Sequence, residues 1–223
     1  IGLNFGISLG IVGGLLGGIC VIEFRVAQIP ALVAVSPMFA QWVAILLAIL
    51  IGVVLSVGIG YLYGLLLNQV KGSEMTVTTY VGFSIIAFMN MIWISLPVKN
   101  GDLMWPNAGQ GVRNTISLAA SFSETMNKTL SFSIGSFEVP TGLILFFMLV
   151  CLLVWLFMRS KTGMAMSAAG ANPVFARAAG INVNKMRLIG TTLSTVLAAV
   201  GIIVYAQGFG FMQLYNCLLY TSD

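Results

Sequence analysis

Little in this chain could make or break a covalent bond. It has no histidine, three cysteines and six acidic residues among 223 positions, and no spacing among them resembles a metal site. No acid falls clearly in the middle of an apolar run, so a carboxylate proton relay lacks its central part. No glycine-rich loop ends in Lys-Ser/Thr, which removes the usual phosphate cradle. What remains is binding chemistry, and one stretch concentrates it. From Arg159 to Arg187 the chain reads RSKTGMAMSAAGANPVFARAAGINVNKMR, with five cationic side chains and no acid. Asn172 and Pro173 have the types of an N-cap and a first helical residue, and Gly180 that of a C′ stop. The spacing predicts a two-turn helix over 173–179. A hinge between two apolar runs needs only a few residues, whereas a capped helix there is a surface to be gripped.

The elements that position this stretch are membrane spans. The chain is 59% hydrophobic and 7% charged, with a mean hydropathy of +1.02, where a soluble domain carries about a quarter charged residues. Its uncharged runs (1–22, 26–70, 75–98, 139–158 and 188–222) each reach the roughly 20 residues that cross a bilayer core. Pro30 and Pro37 make the start of the second run a connection. Five spans are expected near 1–22, 41–68, 77–96, 141–158 and 188–206. The runs lack period-2 alternation, which favours an all-α polytopic helix bundle over a barrel. The cationic stretch 159–187 belongs on the cytoplasmic side. Counting back then places 70–74 inside, with 97–140 and 23–40 outside. Six Lys/Arg (Lys71, Arg159, Lys161, Arg177, Lys185, Arg187) face one acid, Glu74, inside; Arg25, Lys99, Arg113 and Lys128 face four acids outside. The net charge of +4 is thus accounted for by topology and anionic lipid, with no nucleic-acid partner implied.

Packing signals follow. Gly2, Gly6, Gly10, Gly14 and Gly18 recur every fourth residue in the first span, with Gly13 and Gly17 beside them. Small residues let helix backbones approach where lipid offers no hydrophobic drive. Seven glycines in 17 residues also weaken a helix, by roughly 1 kcal/mol each relative to alanine. The first span is therefore either a close-packing element or a broken helix lining a polar path. Ala44, Ala48, Gly52, Ser56, Gly60 and Gly64 repeat the device in the second span, and Gly190, Ser194 and Ala198 in the last. Cys20 and Cys151 read as small core hydrophobes. In the outer segment, Leu118, Ala119, Phe122, Met126 and Leu130 share one helical face, as in an interfacial amphipathic helix or a lid. Trp93 and Trp105 fit an aromatic belt. Asn127-Lys128-Thr129 matches a glycosylation sequon, a pattern common by chance.

The run SKTGMAMSAAGANPVFARAAGINVNKMRLIGTTLSTVLAAVGIIVYAQ resembles the permease subunits of bacterial ABC importers of the branched-chain amino-acid/ribose class. NQVKGSEMTVTTYVGFSIIAFMN at 68–90 and WPNAGQGVRNTISL are most similar to simple-sugar and nucleoside permeases within it. The resemblance implies a non-enzymatic transport subunit with no cofactor in the bacterial inner membrane. It implies an ATP-binding subunit, an extracytoplasmic solute-binding protein and a second permease subunit, identical or related, as partners. The 173–179 helix would be a coupling helix, with Gly170, Asn172, Pro173, Ala176, Arg177, Gly180, Ile181 and Asn182 as docking elements. Ala171 departs from the pattern, where relatives often carry a polar or acidic residue. Asn4 and Ser8 would line the translocation path. A secondary transporter or channel independent of ATP is the alternative. The chain lacks an initiator Met, and CLLYTS at 217–222 resembles a translated sequencing adaptor. The expectation is a single permease domain over 1–216, cut at both ends, with a non-native tail at 217–223.

Overall fold

The computed structural model describes residues 6–70, 72–96, 100, 115–129, 131–134 and 137–213. Asn4, Trp105, Leu130 and the 217–223 tail lie outside them. In chain order the helices are α1 (Gly6–Glu23), α2 (Pro30–Val33), α3 (Pro37–Gln69), α4 (Glu74–Ser95), α5 (Thr125–Lys128), α6 (Thr141–Arg159), α7 (Lys161–Ala171), α8 (Pro173–Ala178) and α9 (Val183–Phe209). Short strands β1 (Thr115–Ser117) and β4 (Phe211–Gln213) pair antiparallel, as do β2 (Phe132–Ile134) and β3 (Phe137–Val139). Five helices, α1, α3, α4, α6 and α9, are long and apolar enough to cross a membrane. The chain is an all-α polytopic bundle, as its composition predicts. Pro30 and Pro37 each start a helix at its first turn, where proline lacks no needed N–H.

The core is a three-helix unit of α1, α3 and α9, with α1 innermost. In the apolar window of α1, 72% of residues are buried, against none in that of α6. The glycine stripe explains the depth. A Cβ on Gly17 would sit 2.6 Å from Gly52 N and 2.7 Å from Ala48 O of α3. One on Gly14 would sit 2.6 Å from Ala199 O of α9. Gly13 and Gly17 therefore face α3 while Gly10 and Gly14 face α9, and backbone meets backbone on both sides. Polar groups tie the same level. Ser56 Oγ donates to Gly10 O (3.4 Å), and the Thr195 hydroxyl shares its proton between Ser56 O (3.0 Å) and Thr192 O (2.8 Å). α1 runs unbroken over Gly6–Glu23, so close packing is the role its glycines fill within that range.

Two ends of the bundle are distinct. At one, Asn68 near the end of α3 donates to Asn184 O at the start of α9 (3.0 Å), beside the 159–187 stretch. At the other, the segment from β1 to α5 lies across the last turns of α9 and the start of α3. The amphipathic helix expected there is helical only over α5. Leu118, Phe122 and Met126 are wholly buried, as the pattern requires, but Ala119 is exposed. The backbone explains the broken helix. Leu118 N donates to Gly210 O and Glu124 N to Gln207 O, bonds to α9 instead of to the preceding turn. Glu124 also takes a left-handed conformation at φ 53°. Two further expectations are corrected. Trp93 is buried in the core rather than placed in a belt, and Cys151 is exposed on α6, where only Gly142 is buried.

Candidate functional site

The 159–187 stretch folds as a compact helical hairpin. Ser160 ends α6 and caps α7: its hydroxyl donates to Phe157 O (2.6 Å) and accepts from Gly163 N (3.2 Å). Gly163 makes the turn possible, since a Cβ there would lie 2.6 Å from Met158 Cα. The whole of α7 escaped the sequence reading. Its signals were Ser160 as a cap and the helix-forming run of Ala and Met behind it.

Asn172 separates α7 from α8. Its extended backbone (φ −147°, ψ 98°) stops the first helix, and its Oδ1 accepts from Val174 N and Phe175 N, both at 3.1 Å, to start the second. Pro173 occupies the first helical position. At the far end Gly180 sits at φ 82° with open space around its missing Cβ, so conformation and not packing requires glycine. Ile181 N donates to Ala176 O (2.9 Å) and Gly180 N to Arg177 O (3.0 Å), the two bonds of a Schellman stop. Asn182 then caps α9 by accepting from Lys185 N (3.1 Å). The predicted caps are where the spacing put them, with α8 ending at Ala178 rather than at 179.

Between the helices lies a small apolar knot of Ala169, Ala176 and Val183, with Ile181 and Met186 packed against it. It fixes α8 on α7 and on the first turn of α9. The predicted residues therefore divide by position. Ala176 is wholly buried and Ile181 half-buried inside the hairpin. Asn172, Gly180 and Asn182 set the backbone. Gly170 is exposed and lines a groove of about 440 Å³ with Met158, Met166, Ser167 and Ala171. Arg177 is exposed and makes no ion pair among the described residues. Beside it stand two residues the sequence reading passed over, Val174 at 77% and Phe175 at 68% exposure. In this six-residue helix only Ala176 is buried, which leaves 174 and 175 on the outside. Ser8, near the start of α1, is buried.

The hairpin has a defined outward surface. It presents apolar surface flanked by a cation on a helix whose every turn is fixed. Among the described residues no group of three His, Cys, Asp or Glu comes together.

Comparison with known proteins places the chain. Residues 1–222 match the family described as branched-chain amino acid transport system / permease component. The chain belongs to this family. It is 27% identical over 167 residues to the nucleoside ABC transporter permease protein NupB of Lactococcus lactis subsp. cremoris (strain MG1363), covering 75% of this chain and 44% of that protein. It is 28% identical over 171 residues to the autoinducer 2 import system permease protein LsrC of Enterobacter sp. (strain 638), covering 75% of this chain and 47% of that one. The aligned part thus spans less than half the length of either relative. No solved structure matches.

Proposed function

We propose that the chain is the membrane-embedded permease of an ATP-driven importer, and that α8 is where a partner ATPase grips it. The observation that carries this reading is the exposed face of α8: Val174, Phe175 and Arg177 project outward from a helix stopped at both ends by hydrogen bonds. A capped helix seated on an apolar knot moves as one body, so force applied to it reaches α9 and, through α9, the α1–α3 core. The docking set is thereby refined. Val174, Phe175 and Arg177 touch the partner, Gly170 borders the contact, and Asn172, Pro173, Ala176, Gly180, Ile181 and Asn182 hold the shape.

The hairpin is cytoplasmic by its cations, and the protein is multi-pass in a bacterial inner membrane. An extracytoplasmic binding protein delivers solute to the opposite end, and a second permease subunit completes the pathway. The solute is a nucleoside or a simple sugar, in keeping with the names of the relatives. Asn4 stands on its path near the axis between the two permeases, whereas Ser8 is buried within the α1–α3–α9 core and packs. Family membership disfavours the alternative of an ATP-independent transporter or channel.

The test is co-purification of the full-length permease with the product of the adjoining ATPase reading frame. Arg177→Glu and Phe175→Ala should each reduce recovery of the ATPase at least about ten-fold, a loss of about 1.4 kcal/mol or more, with the melting temperature in detergent unchanged. Undiminished recovery together with undiminished uptake would sink the assignment.

A further inference from the structure

Among the helices long enough to cross a membrane, α6 is set apart by its surface. Only Gly142 is buried along its 19 residues. From Leu143 to Met158 it reads LILFFMLVCLLVWLFM, with no Gly, Ala, Ser or Thr. Small residues are what let helices close on one another in lipid, and α1, α3 and α9 carry them where they meet. α6 therefore has the surface of a span that faces acyl chains and not another helix. Met148, Leu152, Trp155 and Arg159 follow one another at helical spacing along one side of it, and the three apolar ones are each more than half exposed.

This stripe ends in charge. The Arg159 guanidinium lies over the Trp155 ring, 4.4 Å from its centre, within cation–π range. The ring steadies the cation but supplies no oxygen acceptor, and Arg159 forms no ion pair among the described residues. Its N–H donors remain for the oxygens of a phosphate. Lys161 is exposed two residues on, so its Cα stands within about 7 Å of that of Arg159. The turn between them is fixed by the Ser160 hydroxyl, bonded to Phe157 O and Gly163 N. α6 and α7 pack against α5, α8 and α9, and none of these five helices contains an acid to neutralise the pair. Met158, next to Arg159 in the same turn, is one wall of the groove of about 440 Å³ whose other walls come from α7. That volume falls in the range of small-molecule sites, about 300–1,000 Å³. Two cations without an acid favour a headgroup of net negative charge and disfavour one with an ammonium of its own.

We infer that the corner between α6 and α7 is a binding site for an anionic phospholipid. Arg159 and Lys161 take its phosphate, the groove at Met158 receives its glycerol end, and the Met148–Leu152–Trp155 stripe carries an acyl chain. The site stands on α6 being a membrane span and needs neither the ATPase nor the solute assignment. The experiment titrates the full-length permease in detergent with phosphatidylglycerol and, separately, with phosphatidylcholine of the same chains. Native mass spectrometry reads the first lipid retained. The wild type should prefer phosphatidylglycerol, and Arg159→Gln with Lys161→Gln should lower that preference by about five-fold per cation, as the attraction of one Lys or Arg to an anionic lipid surface implies. Arg177→Gln with Lys185→Gln removes equal charge from the same stretch and should leave the preference at its wild-type value. If the first pair fails to fold, Lys161→Gln alone is read, with one five-fold loss expected. Ser167→Phe fills the groove and should weaken retention too; full retention there overturns the groove's part in the site. Equal losses in the two double variants would reveal diffuse attraction of the whole stretch to anionic lipid. A wild type without preference would reveal an ordinary lipid-facing span. Either result overturns the site and leaves the coupling assignment standing.

Discussion

Each end of the bundle carries a short helix in a segment that also holds large apolar side chains, and the two are used in opposite ways. At the hairpin end α8 turns Val174 and Phe175 outward and buries the small Ala176. At the other end the segment leading into α5 buries Phe122 and Met126 completely and leaves its charges outside. Their means of support differ accordingly. α8 is held by its own neighbours: Asn172, Gly180 and Ile181 bond within a few residues. The α5 segment is held by bonds to distant elements, with Trp42, Gln41 and Gln207 all contributing from more than 80 residues away. A helix that must be gripped by a partner is pre-shaped locally and keeps its apolar side free. A segment that covers the end of the bundle is tied to what it covers, by single bonds to distant elements.

The strongest way to break this comparison is to remove one aromatic ring from each end. Phe122→Ala empties a fully buried site and should destabilise the protein by about 3–5 kcal/mol, read as a large fall in melting temperature in detergent. Phe175→Ala removes a ring that is 68% exposed and should change stability by less than about 0.5 kcal/mol, although it weakens ATPase recovery. Equal destabilisation by the two variants would mean that the face of α8 is packed rather than presented.

A smaller effect sharpens the claim of local support. Gly180 takes φ 82°, where a Cβ costs roughly 1–2 kcal/mol, so Gly180→Ala should loosen α8 without touching the core. Asn172→Ala removes the oxygen shared by Val174 N and Phe175 N and should cost about 1 kcal/mol. Hydrogen exchange is the measurement: amides of α8 should exchange about five- to thirty-fold faster in either variant, while those of α1 and α9 keep their wild-type rates. Acceleration throughout the bundle would show that the hairpin is not an independent unit.

The same division governs how much could be read in advance. The hairpin was legible because caps are local: an Asn-Pro step and a glycine at the right distance name a helix without knowledge of what packs on it. The glycine stripe of α1 was legible as a groove, but which face meets α3 and which meets α9 depends on partners far along the chain. The start of the outer segment misled for the same reason. Leu118, Phe122 and Met126 have helical spacing, yet Leu118 N bonds to Gly210 O, Glu124 N to Gln207 O and Met126 N to Gln207 Oε1, and no pattern within 118–130 encodes those partners. Trp93 was assigned to a belt by type, whereas its burial follows from where α4 packs. Val174 and Phe175 were missed because capping logic draws the eye to polar residues and passes over the apolar ones the caps aim outward.

The smallest predicted effect tests the long-range ties themselves. Trp42 Nε1 donates to Thr129 Oγ1 at 3.0 Å, and that hydroxyl in turn donates to Thr125 O at 2.7 Å, so the two bonds form a chain from α3 to the last turn of α5. Trp42→Phe keeps an aromatic ring of lesser size and removes the donor. The expected loss is about 0.5–1.5 kcal/mol, seen as a modest fall in melting temperature. The informative part lies elsewhere. If α5 is held by these long-range ties, the variant should speed amide exchange at Thr125–Lys128 and leave α8 at its wild-type rate, the mirror image of the Gly180 result. Should the two ends loosen together, they would be one cooperative unit joined through α9. The gripped helix and the tied segment would then be coupled already in the resting bundle, before any partner acts on either.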